Sequence, residues 1–381
     1  MTAKPVGLVA CWPERSYGSV LQAYSLEAAV RRLGVTCQTV NFLGQSVCAK
    51  DSGRLLGTLK APVAGLKKLF HGLSDGFLDA TSPEAQLDIS IRGKAFDGFL
   101  SGHLHLSPSC SSVDELAELA EGYSAIVVGG GALWNASRIG AGYYTLGWVR
   151  DGIRKVAYST SFGEGGVPSR LAKDATRFLS RFDSLALGCE ADCAIAGKLC
   201  GRPVRSVVDP VLLFSGEQWM DVQQREPLIR GKYIFCFFEG NSPMDFIQEA
   251  KTLTGLKIVA LQPRLKSCPD GFADESPCNA GPAEYLNYIR NANYVFTDSF
   301  YCVAFSILYK KQFSFFMCGC GADAQTVNLL SKVGLENRMA DAKASAADVL
   351  AHDERFDGVD AKIADLRMSS QSYLEEALAG F

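Results

Sequence analysis

Apolar and polar positions along this chain alternate between two periods, and the alternation repeats from end to end. Val6 to Cys11 (VGLVAC) is a continuous apolar run, as the first buried strand of a parallel sheet should be. After a loop from Trp12 to Tyr17, Val20, Leu21, Tyr24, Leu26, Ala28 and Val30 follow a helical period that Gly34 closes. Val35 to Phe42 (VTCQTVNF) then alternates apolar with polar and predicts a second strand. Ser124 to Val128 (SAIVV) and Val156 to Thr160 (VAYST) predict further buried strands. In the second half, Tyr233 to Phe238 (YIFCFF) and Lys257 to Leu261 read as strands, and Phe246 to Leu253 and Glu284 to Asn291 as helices. The stretch from Asn291 to Phe316 holds a whole repeat: a strand at Tyr294 to Phe296, a polar turn at Thr297, Asp298 and Ser299, a helix from Phe300 to Leu308, and another strand. Lys310 and Lys311 complement the C-terminal dipole of that helix. Ala342 to His352 and Ala361 to Leu378 predict terminal helices. Strand and helix in turn predict an α/β protein with parallel sheets.

A chain of 381 residues is long for one core and suggests two domains. The segment Trp219 to Arg230 reads as a polar connection, which puts the boundary near 215 to 230 and gives a first domain over 1–220, a second over 228–340, and terminal helices over 341–381. Between 43 and 90 the pattern weakens to short apolar pieces among Gly, Ser, Pro and Lys, as expected of a variable helical insertion. The net charge of −3 with 21% charged residues speaks against a nucleic-acid face. The opening residues hold an apolar run too short for a signal or a membrane span, so a cytoplasmic protein with no integral membrane segment is expected. Thirteen cysteines, scattered through apolar segments, then read as reduced and mostly buried thiols. Cys189, Cys193, Cys318 and Cys320 lack the spacing of a zinc site. His103 and His105, two apart on a predicted strand, have no acidic or cysteine partner nearby in sequence, and no metal is expected.

In an open parallel sheet, ligands bind just beyond the carboxyl ends of the strands, so the residues that follow each strand are the candidates for a site. They are Tyr17, Gly18 and Gln22 after the first strand, and Gly129, Gly130, Gly131 and Trp134 after SAIVV. Ser159 and Ser161 follow at the end of VAYST, with Glu239 after YIFCFF, and Asp298, Ser299 and Tyr301 in the late turn. The glycine triplet is not the GxGxxG dinucleotide fingerprint, but it frees backbone N–H groups near a strand end. The turn at Asp298 and Ser299 has two readings. Either it caps the following helix, or the first N–H groups of that helix receive an anion.

The order of these blocks resembles that of the polysaccharide pyruvyl transferase family. Tyr17-Gly18 with Leu21-Gln22-Ala23-Tyr24, VVGGGALW at 127 to 134, AYSTSFG at 157 to 163, VVDPVLLF at 207 to 214 and VFTDSF at 295 to 300 occur in the family's sequence. The resemblance implies a GT-B-like pair of Rossmann-type domains facing a cleft, with the acceptor on the N-terminal side and the donor on the C-terminal side. It also implies transfer of a pyruvyl group from phosphoenolpyruvate, as co-substrate and without a resident cofactor, to a sugar hydroxyl of a lipid-linked or nucleotide-linked glycan. The setting would be assembly of a bacterial cell-surface polysaccharide. Family members place an arginine in a pattern like S-V-R-E and a His-Gly pair after D-S-F; here these read Leu187-Gly188-Cys189-Glu190 and Asp298-Ser299-Phe300-Tyr301-Cys302. Tyr301 stands where imidazole is expected, with Asp298 and Glu239 as its catalytic companions, and Arg264 or Lys266 could replace the missing cation. Two alternatives follow from those departures: a paralogue that binds a glycan or nucleotide sugar without turnover, or a GT-B glycosyltransferase.

Overall fold

The computed structural model describes residues 4–44, 83–262, 272–319, 321–341, 343–351 and 356–379. They fall into two compact units. One is built from the chain up to 44, Ser101–Leu213 and the chain from Asp365 on; the other takes residues 83–100 and Phe214–Ala364. Most of the expected insertion at 43–90 lies outside the described residues, and so do Arg264 and Lys266.

The first unit is a seven-stranded sheet, all parallel, of β1 (Val6–Val9), β2 (Cys37–Phe42), β3 (Leu106–Cys110), β4 (Ala125–Gly129), β5 (Arg154–Thr160), β6 (Ser184–Leu187) and β7 (Arg205–Ser206), in the order β3-β2-β1-β4-β5-β6-β7. The central β1 and β4 are buried along their whole length, which is why they lack polar alternation. The second unit holds β8 (Tyr233–Phe237), β9 (Lys257–Ala260), β10 (Tyr294–Thr297), β11 (Gln312–Phe316) and β12 (Met339–Ala340), again all parallel, in the order β12-β11-β10-β8-β9. Helices alternate with the strands in both units, as the apolar periods predicted. The helix Phe300–Leu308 has the bounds read from the sequence.

Each order reverses once. In the first unit the chain winds outward from β1 through β2 to β3 and then returns to β4 on the other side of β1. In the second it winds from β8 to β9 and returns to β10 on the other side of β8. Loops leaving adjacent strands part company at such a reversal, and a crevice opens at the carboxyl edge. The exits of β1 and β4, and of β8 and β10, are therefore the positions that matter for a site.

Buried polar contacts fix the first unit's helix Tyr17–Arg32 on its sheet. Glu27, 1% exposed, accepts hydrogen bonds from the Thr39 hydroxyl at 2.6 Å and the His105 N–H at 3.1 Å, and its other contact is His105 Nδ1 at 2.7 Å. His103 ends the helix Pro83–His103 and meets the Tyr24 ring edge-on at 5.6 Å. The two histidines thus do not share a strand face as their spacing suggested, because the helix runs through the first of them. Gly129 supplies the other constraint: a Cβ there would lie 2.5 Å from the Tyr158 carbonyl oxygen and 2.6 Å from Leu26 Cδ2. No side chain fits between β4, β5 and the helix.

The second unit is centred on Phe246, Phe296 and Phe316, whose rings meet edge-on at 5.1, 5.0 and 6.2 Å. Trp219 corrects the reading of Trp219 to Arg230 as a purely polar connection. It is wholly buried against Phe305 and Phe214, at 5.0 and 5.8 Å, and the segment Gln218–Val222 is a short 3-10 turn. The last helix, Val359–Leu378, reaches the first unit through its later turns, where the Tyr373 hydroxyl donates to the Ala157 carbonyl at 2.8 Å. Cys11, Cys37, Cys110, Cys189, Cys193, Cys200, Cys236, Cys278 and Cys302 are free thiols, whereas Cys318 is disulfide-bonded, an exception to the expectation of reduced cysteines throughout. Among the described residues, no helix is long and apolar enough to cross a membrane.

Two substitutions test these constraints. Glu27→Ala strands the Thr39 hydroxyl and the His105 N–H and should destabilise the protein by about 2–4 kcal/mol in urea unfolding, with Glu27→Gln costing less. Gly129→Ala should cost about 1–3 kcal/mol, because its obstacle is backbone and cannot rotate away.

Candidate functional site

At the first unit's reversal, the β1 exit carries Cys11, Glu14 and Arg15 before Ser16 caps the helix Tyr17–Arg32 by accepting the Ser19 N–H at 3.2 Å. Arg15 has a φ of 45°, a left-handed conformation that a side-chain-bearing residue adopts only when its surroundings enforce it. Tyr17 and Gly18, in the first helical turn, are both buried. The β4 exit turns on Gly130 and Gly131, with φ of 84° and 66°, which explains two of the three glycines directly. It runs on to Asn135, whose side chain caps a four-residue helix, Ala136–Ile139, by accepting the Arg138 N–H at 3.0 Å. The Arg138 guanidinium returns across the reversal to Glu14 of the β1 exit, Nη2 to Oε1 at 2.5 Å, and lies over the Tyr144 ring at 5.4 Å. Burial pushes the neighbouring Cys11 thiol up to about 12, and the Glu14 carboxylate adds to the effect, so this thiol stays protonated.

Several candidates from the sequence hold this rim together. Gln22 donates from Nε2 to Asp209 Oδ2 at 2.5 Å, and its Oε1 lies 3.1 Å from where a Cβ on Gly130 would be. Asp209 also accepts the Val211 N–H at 3.1 Å. The glycine turn is stitched to the β5 exit in both directions, Ser161 N–H to Gly131 carbonyl at 3.0 Å and Trp134 N–H to Ser161 carbonyl at 3.0 Å.

Two candidate ligand contacts need correction. Trp134 is wholly buried, donates from Nε1 to the Tyr144 carbonyl at 2.9 Å, and packs on Phe162, Phe178 and Phe182. It is a core residue, because its loop turns inward at Gly131. Ser159 is 3% exposed at a φ of 51°, and its hydroxyl, 3.2 Å from where a Cβ on Gly188 would be, points into the β6 exit; among the described residues it has no hydrogen-bond partner. The register shift of β5 between Tyr158 and Thr160 turns it away from the rim. Cys189, in the place of the family pattern's arginine, caps the helix Glu190–Cys200 by accepting the Asp192 N–H at 3.5 Å, and burial raises its pKa. This position offers no positive charge.

At the second unit's reversal, Asp298 is a clamp. Its Oδ1 accepts the Glu239 N–H and its Oδ2 the Gly240 N–H, both at 2.7 Å, so the β10 turn holds the β8 exit in place. The side chain is 3% exposed, and burial raises its pKa despite those bonds. With each oxygen accepting a backbone N–H, Asp298 holds the β8 exit in position, a structural role that the sequence did not show. The Ser299 hydroxyl donates to Glu239 Oε1 at 3.0 Å, while its N–H bonds the Thr297 hydroxyl at 3.0 Å. Glu239 is exposed and Tyr301 half-buried in the first turn of Phe300–Leu308, beside Phe300 at 5.3 Å. Asp323 accepts N–H bonds from Gly319 at 2.7 Å and Cys318 at 3.2 Å at the β11 exit, and its charge also raises the Asp298 pKa. The carboxylates of Asp298 and Glu239 therefore lie at the turn where the sequence suggested an anion, with Asp323 near enough to act on Asp298.

Arg138 is the residue that sequence reasoning missed. It stands seven residues after Gly131, outside any strand or long helix, and only the fold of the β4 exit brings it to the reversal.

Comparison with solved structures gives the fold independently. A UDP-N-acetylglucosamine 2-epimerase aligns with a TM-score of 0.56 at 9% identity, over 99% of this chain and 95% of that one. The UDP-GlcNAc 2-epimerase of Neisseria meningitidis bound to UDP-GlcNAc aligns with a TM-score of 0.47 at 10% identity, over 98% and 94%. A spinosyn rhamnosyltransferase aligns with a TM-score of 0.45 at 11% identity, over 98% and 96%. The first of these, with the two parallel sheets, supports the expected α/β, GT-B-like class. No curated protein sequence matches the chain. Residues 17–318, from the first turn of the helix after β1 to the β11 exit, match the description "Polysaccharide pyruvyl transferase", and the chain belongs to that family.

Proposed function

We propose that this protein transfers the pyruvyl group of phosphoenolpyruvate to a sugar diol as a cyclic ketal, in the assembly of a cell-surface polysaccharide. The observation that carries the reading is the family match across residues 17–318, which includes the exits of β4, β8 and β10. In the reaction the donor's C3 methylene takes a proton, its C2 becomes electrophilic, and two sugar hydroxyls add there as the C2–O bond to phosphate breaks. One hydroxyl proton balances the new methyl group and the other leaves on inorganic phosphate.

The protein must then hold a phosphate and a carboxylate, deprotonate hydroxyls and deliver a proton. We assign proton transfer with the acceptor hydroxyl to Glu239, which the Ser299 hydroxyl orients and which is exposed enough to meet a ligand. Tyr301 lies one turn position further on and supplies a phenol where the family pattern has imidazole. Its reference pKa near 10 makes it a slow proton shuttle at neutral pH. Asp298 keeps Glu239 in register through the two N–H bonds of its clamp. The chemistry calls for an acceptor with two sugar hydroxyls close enough to close a ketal ring, and the family resemblance implies that this sugar is lipid-linked or nucleotide-linked.

A second reading, binding without turnover, is favoured by one observation: Cys189 and Tyr301 stand in place of the arginine and histidine, and the Cys189 side chain is used in capping a helix. Phosphate release from phosphoenolpyruvate with a panel of sugar acceptors separates the two. A transferase should release phosphate only with acceptor present, slowly, and no release with any acceptor sinks the first reading. Glu239→Gln should lower the rate about 100-fold or more with little change in donor affinity. Tyr301→His combined with Cys189→Arg should raise the rate, because imidazole titrates near neutrality and guanidinium pairs with carboxylate or phosphate. Cys302 is best kept in such a variant, since it is wholly buried and glycine there would leave a void and loosen the helix.

A further inference from the structure

We propose that Arg138 receives the donor's anionic group at the reversal of the first sheet, in the N-terminal unit and not on the C-terminal side that the family resemblance implies, with the Glu14 carboxylate occupying its place until the ligand arrives; the identity of that donor as phosphoenolpyruvate rests on the reading above. The position is the first argument. Arg138 belongs to the β4 exit and Glu14 to the β1 exit, and these two exits flank the point where the strand order turns back. That is where an open parallel sheet presents a crevice to a ligand.

The state of the guanidinium is the second. Its side chain is only 14% exposed, while that of Glu14 is 38% exposed, so the pair meets solvent on the carboxylate's side. An anion approaching from solvent reaches the partner before it reaches the cation. The guanidinium lies over the Tyr144 ring, the Cys11 thiol hydrogen-bonds it, and Glu14 meets it through one N–O contact, Nη2 to Oε1. A guanidinium carries five N–H donors in a fork that matches two oxygens of one carboxylate or phosphate. A one-point partner on a pre-oriented fork can be exchanged for a two-point ligand.

Among the described residues, the other two motif positions carry no cation. The family pattern's arginine position holds Cys189, which burial keeps as a thiol and which caps its own helix. The second unit's reversal carries the carboxylates of Asp298 and Asp323. A group with two or three negative charges is better received at Arg138 than at either place.

Calorimetric titration of the full chain with phosphoenolpyruvate, inorganic phosphate and UDP tests this, using Arg138→Met, Arg138→Lys and Glu14→Gln with thermal melts as folding controls. Arg138→Met should weaken binding of phosphoenolpyruvate about 10-fold or more, and Arg138→Lys less, since it keeps the charge but loses the fork. Glu14→Gln should tighten binding or leave it unchanged, because it removes the competitor. Both Met and Gln variants lose the same ion pair, so a brace that only holds the β1 loop predicts equal weakening in both, and that result overturns the proposal. So does unchanged binding in Arg138→Met, which leaves the transferase reading standing. If the wild type ignores phosphoenolpyruvate but binds UDP in an Arg138-dependent way, the transferase reading falls and this one stands. If it binds none of the three anions, the role given to Arg138 is wrong.

Discussion

Right-handed crossovers put all helices on one face of a parallel sheet while the chain winds one way, so covering the other face takes a return to the other side of the first strand. That single reversal is what the rest of each unit depends on. It brings the exits of β1 and β4 together in one sheet and those of β8 and β10 in the other, although the paired exits are more than fifty residues apart in sequence. All four exits carry residues outside the apolar periods of the strands and helices. The groups with chemical use sit there because packing places no other demand on them.

The two reversals are closed by different means. In the first unit the contact across the reversal is an ion pair, Arg138 with Glu14, on the solvent side of a rim whose inner parts are locked by backbone bonds between Gly131, Ser161 and Trp134. An ion pair that meets water contributes little to stability and is readily exchanged for another anion. In the second unit the contact is a buried carboxylate, Asp298, with two N–H bonds to the β8 exit. Removing it would leave two amides without partners, so it behaves as part of the scaffold. The first contact is between side chains and the second is between a side chain and the backbone.

The family's motif is retained in its scaffold and changed at its charges. Gly130, Gly131, Gln22 and Asp209 form a connected set in which the amide oxygen of Gln22 faces the glycine turn and its amide nitrogen holds Asp209. This explains why glycine, glutamine and aspartate occur in blocks so far apart in the chain: each fills space left by the others. Cys189 and Tyr301, by contrast, keep the local fold while removing a cation and an imidazole.

The sequence by itself determined the α/β class and the central strands of both sheets, because apolar period depends on local burial and is written residue by residue, but it left β3 and the helices Val113–Ala120, Ala172–Leu179, Glu190–Cys200 and Gly321–Val333 unread. It placed the helix Phe300–Leu308 to the residue and β10 within one, and it pointed to the strand exits as the site. It could not tell which exit residues face outward. Trp134 and Ser159 lie beside Gly131 and Ser161 in the chain, yet a turn at positive φ and a register shift in β5 send them inward. Nor could it show that Asp298 spends both oxygens on backbone amides about sixty residues away, or that Arg138, in a four-residue helix with no motif around it, meets Glu14. Those are contacts between strand exits, and they depend on the strand order. Only the tertiary structure fixes that order, since the apolar pattern is the same for any arrangement of the strands.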